Sequence, residues 1–198
     1  ELIATARFKK AMDRAVAATA YTRRITQLVS DLAGGGMELK HPLLESRETV
    51  NNATLLVLTA NRGLCGGYNG GVLRKAIAHH AELQKESSVR LEISGNRGIA
   101  AVKYRNMSAD ATFTQFDDEP KFEEVEPIAN SYLELFSRGE LDRLDVAYTR
   151  FVSSSKQVAV VETLLPLGSL GDEEAGDDVE SSASSIYDFV PSAESILK

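Results

Sequence analysis

The succession of strand-like, glycine-rich and helix-like segments in the middle of the chain restricts the possible fold most strongly. Thr54 to Thr59 is a short run of aliphatic and β-branched residues, which is typical of a strand covered on both faces. A glycine-rich turn follows, and Val72 to Gln84 then places apolar residues at helical spacing. The succession recurs as a strand over Arg90–Ser94, a turn over Gly95–Gly98 and a helix over Ile99–Tyr104. This alternation predicts parallel βαβ units.

The following segments extend the same pattern. Thr112–Phe116 predicts a weaker strand, and two further strands are expected at Asp145–Val152 and Val158–Leu164. Between the strand at Thr112–Phe116 and the strand at Asp145–Val152, apolar residues from Phe122 onward have helical spacing. We expect the regular helix to start at Pro127 after an irregular turn. The fold class is therefore α/β, a three-layer Rossmann-like domain with a mainly parallel sheet of about five strands.

A long helix is expected ahead of this domain. Leu2 to Leu32 contains no proline or glycine, and its apolar residues recur at spacings of three, four or seven up to the glycines at 34–36. Such a helix of roughly 30 residues is about 45 Å long, more than a small domain spans. Because it lacks an N-cap, we expect it to begin upstream. Either part of it binds a partner, or it packs along its whole length on the domain.

Composition divides the chain further. Residues 171–185 carry six acids and then serines, which predicts a mobile loop, and Pro191 with the possible N-cap Ser192 marks a second helix cut off at Lys198. We therefore expect the chain to be the middle of a longer protein. The predicted divisions are an incomplete helix at 1–34, a linker at 35–53, the α/β domain at 54–168, an acidic and serine-rich loop at 169–185, and the end of the domain with the start of the second helix at 186–198.

Charge and cysteine content exclude several classes of protein. The net charge of −7 argues against nucleic-acid binding, although residues 1–34 alone carry +3. No uncharged apolar run is long enough to cross a bilayer. The single cysteine, Cys65, allows neither an internal disulfide nor a CxxC metal pair.

The glycine-rich turn is the segment most suggestive of chemistry. It runs from Asn61 to Gly71, where α/β folds commonly hold phosphates, but it has neither a GxGxxG pattern nor a following Gly-Lys-Ser/Thr. Its glycines serve either tight strand-to-helix packing or a ligand site. His79 and His80 are adjacent, so they do not share one helix face as a metal pair does, and we expect them at the surface. We predict no catalytic, cofactor-binding or metal-binding residue.

The turn also carries a family resemblance. The segment TANRGLCGGYN closely resembles the signature TSDRGLCGGxN of gamma subunits of F-type ATP synthases, with Asn61 where the family usually has Asp. Similar segments follow the family's order across essentially the whole chain. They are ELIATARFKKA, HPLL, ISGNRG, DVAYTRFVSSSKQVAVVETLLPL and YDFVPSAESIL.

The resemblance implies an architecture and a set of contacts. The two terminal helices would form an antiparallel coiled coil inside a ring of alpha and beta subunits, with the α/β domain near the epsilon subunit and the c-ring. The turn would face acidic segments of the beta subunits. Tyr187 and Phe189 would be foot contacts or, equally, core residues. The implied beta-contact residues are Arg62, Gly63, Leu64, Cys65, Gly66 and Gly67.

The function that the resemblance implies is that of a rotor shaft without catalytic activity or cofactor. It would couple ion-driven rotation to conformational change in the alpha-beta hexamer, peripherally on the cytoplasmic face of a bacterial membrane, with the mitochondrial matrix face as an alternative. Two rival hypotheses come from other classes. One is a stand-alone α/β enzyme that holds a phosphorylated substrate or nucleotide at Gly63–Gly71, and the other is a coiled-coil adaptor with a single helical partner.

Overall fold

The computed structural model describes residues 2–34, 41–116, 120–153 and 155–167. The predicted loop at 169–185 and the predicted second helix lie outside these residues, as do Tyr187 and Phe189. The described elements alternate between strands and helices after one long N-terminal helix. They are α1 (Leu2–Gly34), β1 (Asn52–Leu58), α2 (Tyr68–Leu83), β2 (Ser88–Ser94), α3 (Asn96–Tyr104), β3 (Ala111–Phe113), α4 (Phe122–Ser137), β4 (Arg143–Ser153) and β5 (Lys156–Leu165).

The five strands form one mainly parallel sheet in the order β3-β2-β1-β4-β5. β1 lies in the centre and pairs in parallel with β2 and with β4, and β2 pairs in parallel with β3. β5 is an antiparallel edge strand that returns along β4. The predicted α/β class and the mainly parallel sheet are confirmed.

Side chains of β1 alternate between two hydrophobic cores, one on each face of the sheet. Leu55 and Val57 are buried against Val72 of α2 and Val102 of α3. Leu56 points to the other face, where the core includes Phe136 of α4. Helices therefore cover both faces, which is the three-layer arrangement that a strand run without polar alternation requires.

Helix α4 begins earlier than the sequence predicted. We expected the regular helix to start at Pro127, but α4 runs from Phe122. The start is stabilised because the backbone N–H of Lys121 donates to the carboxylate of Glu124 at 3.0 Å, and acids in a first turn interact favourably with the helix dipole. Pro127 lies in the second turn of α4. Its missing N–H removes one backbone hydrogen bond from the helix, and the contacts at the helix start offset this loss.

Among its described side chains, helix α1 is buried towards its C-terminal end. Val29 is buried, at 6% exposure, and α1 contacts β4. Towards the N-terminus of the helix, the side chains of Phe8, Val16 and Tyr21 are 59%, 55% and 71% exposed. A helix packed along its whole length on the domain would bury such large apolar side chains, so this alternative is wrong for the chain as described.

Candidate functional site at the glycine turn after β1

The base of the glycine turn is fixed by Thr59, which follows β1. Its backbone N–H and its Oγ1 both donate to the carbonyl of Ser94 at the end of β2, at 2.8 and 2.7 Å. The same Oγ1 accepts from the backbone N–H of Gly98 in α3 at 2.9 Å. One side chain therefore joins the carboxyl ends of two adjacent strands to the first turn of a helix.

Two glycines at the start of α3, the N-cap Gly95 and Gly98 in the first turn, make this close approach possible. A Cβ on Gly95 would lie 2.1 Å from the Thr59 carbonyl oxygen, and Gly95 has a φ of +99°. A Cβ on Gly98 would lie 2.6 Å from Thr59 Oγ1. These two glycines therefore allow close packing between the segment that follows β1 and the start of α3.

Asn61 connects the turn to two further loops. Its Nδ2 donates to the carbonyl of Phe116 at 2.7 Å, and its Oδ1 accepts from the backbone N–H of Asn96 at 3.0 Å. An aspartate has no amide donor to offer Phe116, so the asparagine that departs from the family pattern adds a contact of its own here. Asn61 thereby holds the turn against the segments that follow β2 and β3.

Asn69 closes the turn from the α2 side. Its Oδ1 accepts from the backbone N–H of Ala60 at 2.9 Å, and its Nδ2 contacts Cys65 Sγ at 2.9 Å. The chain between them bends through two left-handed residues, Leu64 with a φ of +61° and Gly66 with a φ of +55°. For Leu64 this conformation is unusual, and the surrounding hydrogen bonds hold it in place.

The six residues Arg62–Gly67 lie together on this projecting turn. Leu64 is fully exposed, and Arg62, Cys65, Gly66 and Gly67 are exposed as well. Gly63 is half-buried, because the guanidinium of Arg97 covers it so closely that a Cβ would lie 2.6 Å from Nη2. The turn thus presents a leucine and two arginines to the outside while asparagines hold it from behind. Such an exposed, apolar and cationic surface suits contact with another chain better than enclosure of a small ligand.

A second polar cluster, centred on Asp145 of β4, was missed by the sequence analysis. Asp145 is fully buried, and its carboxylate accepts from His79 of α2 at 2.6 Å, from Arg143 at 2.9 Å and from Thr163 of β5 at 2.7 Å. Burial alone would raise the pKa of Asp145, but the hydrogen bonds from His79, Arg143 and Thr163 outweigh it and hold that pKa below its ordinary value. The cluster ties α2, β4 and β5 together.

The prediction that His79 and His80 lie at the surface is wrong. The side chain of His79 is 27% exposed and paired with Asp145, and His80 is buried at 8%. His80 shares a face of α2 with Val72 and Ala76 at spacings of four residues, a periodicity that could have identified its burial. Burial lowers the pKa of His80 and His79 lowers it further, although Asp110 opposes both effects. Among the described residues, no group of three or more His, Cys, Asp or Glu side chains is placed to hold a metal ion.

Comparison with known proteins places the chain in a family. The family model described as ATP synthase matches residues 1–198. A protein named ATP synthase gamma chain from Rhodopirellula baltica is 53% identical over 200 residues, which cover all of this chain and 68% of that relative. The chain belongs to the ATP synthase gamma chain family. The gamma chain of Streptomyces avermitilis is 35% identical over 202 residues, covering all of this chain and 66% of its own length.

The chain thus spans about two thirds of the length of these two relatives. Among solved structures, it is similar to the central stalk and c-ring of Tetrahymena thermophila mitochondrial ATP synthase, with 16% identity, a TM-score of 0.46, and coverage of 77% of this chain and 72% of that one. It is also similar to the rotor of Euglena gracilis mitochondrial ATP synthase, with 16% identity and a TM-score of 0.41. That match covers 91% of this chain and 68% of the Euglena chain. Among the described residues, every helix is too short or too polar to cross a membrane.

Proposed function

We propose that this chain is part of the rotating central shaft of an ATP synthase and is itself non-catalytic. The shaft couples ion-driven rotation of the c-ring to conformational change in the hexamer of alpha and beta subunits. It works on the cytoplasmic face of a bacterial membrane, attached through the complex and in contact with the epsilon subunit. Membership of the gamma chain family favours this function over a stand-alone phosphate-binding enzyme.

The observation that carries the proposal is the exposed apolar surface of α1. The helix has 33 residues, which corresponds to about 50 Å at 1.5 Å per residue. Phe8, Val16 and Tyr21 are largely exposed on it, and they belong to neither of the two cores described above. An extended helix with unpaired apolar residues is the element expected of a shaft that packs against other helices.

A shaft of this kind does work through unequal contacts. A rotating asymmetric body touches each beta subunit differently, and a conformational equilibrium shifts only by the difference in interaction free energy between its states. This chain would therefore change nucleotide affinity in its neighbours without making or breaking covalent bonds itself.

The glycine turn is the proposed contact with the beta subunits. Arg62 supplies a cation to acidic segments of these subunits, and the exposed Leu64 supplies apolar area beside it. Gly63, Cys65, Gly66 and Gly67 give the turn its shape and have no chemical role. Tyr187 and Phe189, which follow in the sequence, are proposed contacts of the foot with the epsilon subunit or the c-ring.

Replacing Arg62 tests the proposed contact. Exposed ion pairs contribute about 0–1 kcal/mol, so Arg62→Ala should change the ratio of ATP-driven proton pumping to ATP hydrolysis by no more than roughly fivefold and leave assembly intact. Arg105→Ala, which removes an exposed arginine from the end of α3, is the matched control and should behave as wild type. Complete loss of alpha and beta binding in Arg62→Ala would contradict this weak, peripheral contact.

A further inference from the structure

The segment 41–52, here called the strap, connects the α1 side of the chain to β1. The sequence analysis treated this region as a linker. In the structure, however, the strap is bound to the domain at several separate points. At its end, the backbone N–H groups of Asn51 and Asn52 both donate to one carboxylate oxygen of the buried Asp142, each at 2.9 Å.

Arg47 binds the middle of the strap to the C-terminal end of α4. Its Nη2 donates to the carbonyl of Phe136 at 3.2 Å, and its guanidinium lies 5.3 Å from the centre of the Phe136 ring. Phe136 is completely buried in the core beneath α4. A cation is favourable both at a helix C-terminus and over an aromatic face, so one side chain makes two complementary contacts with one residue.

Leu43 fixes the beginning of the strap. Its side chain is 7% exposed and belongs to the same core as Phe136 and Leu165. Its carbonyl accepts from the backbone N–H of Leu167 at 2.7 Å. Leu167 follows β5, the last strand described. This hydrogen bond therefore joins the chain entering the domain to the chain beyond its last strand.

These contacts matter if the domain must turn α1. Among the described residues, the strap and the contact of α1 with β4 are two routes by which torque can pass between the domain and α1. A free linker would absorb rotation as conformational change, whereas a connection packed into the core transmits it. On the basis of the proposed function, we propose that Arg47 is a positioning residue that holds the strap rigid against α4, so that rotation of the α/β domain is transmitted to α1 under load.

The test compares ATP hydrolysis and proton pumping in the full-length chain assembled into the complete complex in vesicles. Arg47→Met keeps the apolar stem and removes the contacts of the guanidinium. We expect wild-type ATP hydrolysis when no proton gradient opposes rotation, and a clear loss of the maximal gradient that ATP hydrolysis can build. Arg47→Lys keeps the charge and a donor for the Phe136 carbonyl, and should restore part of that gradient.

Arg138→Met is the matched control. Arg138 is also at the C-terminal end of α4, but its side chain is exposed. Its Nη2 lies 3.4 Å from the carboxylate of Glu134, which is exposed as well. The complex with Arg138→Met should build the wild-type gradient. If Arg138→Met lost as much of the gradient as Arg47→Met, general loss of charge at this helix end would explain the effect and the proposal would be wrong.

Other results would also overturn the proposal. Equal losses of unopposed hydrolysis and of pumping in Arg47→Met would assign Arg47 a purely structural role, as would failure of both Arg47→Met and Arg47→Lys to assemble. A wild-type gradient in Arg47→Met would show that the strap needs no such support. A wild-type complex that hydrolyses ATP without pumping would instead contradict the proposed function, so the two failures are distinguishable.

Discussion

At the scale of single residues, Gly95 meets two independent constraints. Its φ of +99° is unfavourable for any residue with a side chain, and a Cβ would overlap the carbonyl of Thr59. We expect Gly95→Ala to lower the free energy of unfolding by more than the roughly 1–3 kcal/mol of backbone strain alone. Urea denaturation of the variant would measure this loss.

Two other glycines separate strain from overlap. Gly139 has a φ of +73° with nothing near its absent Cβ, so Gly139→Ala should show strain alone. Gly67, with a φ of −79° and equally open surroundings, should tolerate alanine with little change. A Gly95→Ala variant as stable as Gly67→Ala would contradict the close approach of the two connections.

His80 should make stability depend on pH. Because burial holds its pKa below the ordinary value, the unfolded chain binds more protons than the folded protein once the pH falls below about 6.5. Its contribution to stability is therefore present at higher pH. It is lost as the pH falls, by at most about 1.4 kcal/mol per pH unit for one proton.

His80→Gln, which cannot titrate, should flatten this part of the pH profile of the free energy of unfolding. The comparison is with His41→Gln, which leaves His80 and its surroundings on α2 unchanged and should retain the dependence. An unaltered slope in His80→Gln would show that the buried histidine is not the source.

The sequence located the residues of the turn but not what holds them. The resemblance singled out Arg62–Gly67 because the motif is contiguous. The contacts of Asn61 with Asn96 and Phe116 join residues 35 and 55 positions apart, and they exist only once three strands are paired. The pairing of His79 with Asp145, 66 positions apart, was hidden for the same reason.

At the scale of elements, Asp145 links α2, β4 and β5 through one carboxylate. Asp145→Asn would leave Arg143, whose side chain is 33% exposed, without its charged partner. This should cost about 1–3 kcal/mol, between the values for an exposed pair and for a fully buried one. We expect a loss of stability of about this size, measured by urea denaturation. Glu134→Gln, in an exposed pair with Arg138, should change stability by about 0.5 kcal/mol or less.

The pH dependence of the same variant gives a second check. Because the pKa of Asp145 is lowered in the folded protein, its carboxylate stabilises the folded state at pH values above the ordinary pKa of about 4. This stabilisation is lost as the pH falls below that value. The wild type should therefore lose more stability on acidification than Asp145→Asn. Parallel acid profiles would show that the carboxylate is not held as a charged acceptor.

Elements with a strong local pattern were predicted to within a few residues. β1, for example, was expected from Thr54 and begins at Asn52, since its apolar run fits only a covered strand. The start of α4 was placed five residues late, because proline was given more weight than the Glu124 contact that stabilises the first turn. Helix caps depend on side-chain geometry that periodicity does not contain.

At the scale of the whole molecule, a compact α/β domain supports a helix whose apolar side chains lie largely in solvent. The domain has a core on each face of its sheet, and none of the α1 side chains that the structure describes belongs to either core. We infer that the helix is stabilised by partners in the complex, and that its attachment through the strap sets how firmly domain and helix move together. The sequence predicted the helix and the domain separately, but the contacts of the strap depend on tertiary packing.

Rotation is the most direct test of the central claim, that this chain turns within a ring that does the chemistry. The full-length protein, with Cys65→Ser and a cysteine in place of the exposed Tyr104, would carry an optical probe on its α/β domain while the alpha-beta hexamer is fixed to a surface. We expect the probe to rotate in a single direction when ATP is present and to stop rotating when ATP is absent. A stationary probe on a hexamer that hydrolyses ATP at the normal rate would contradict it.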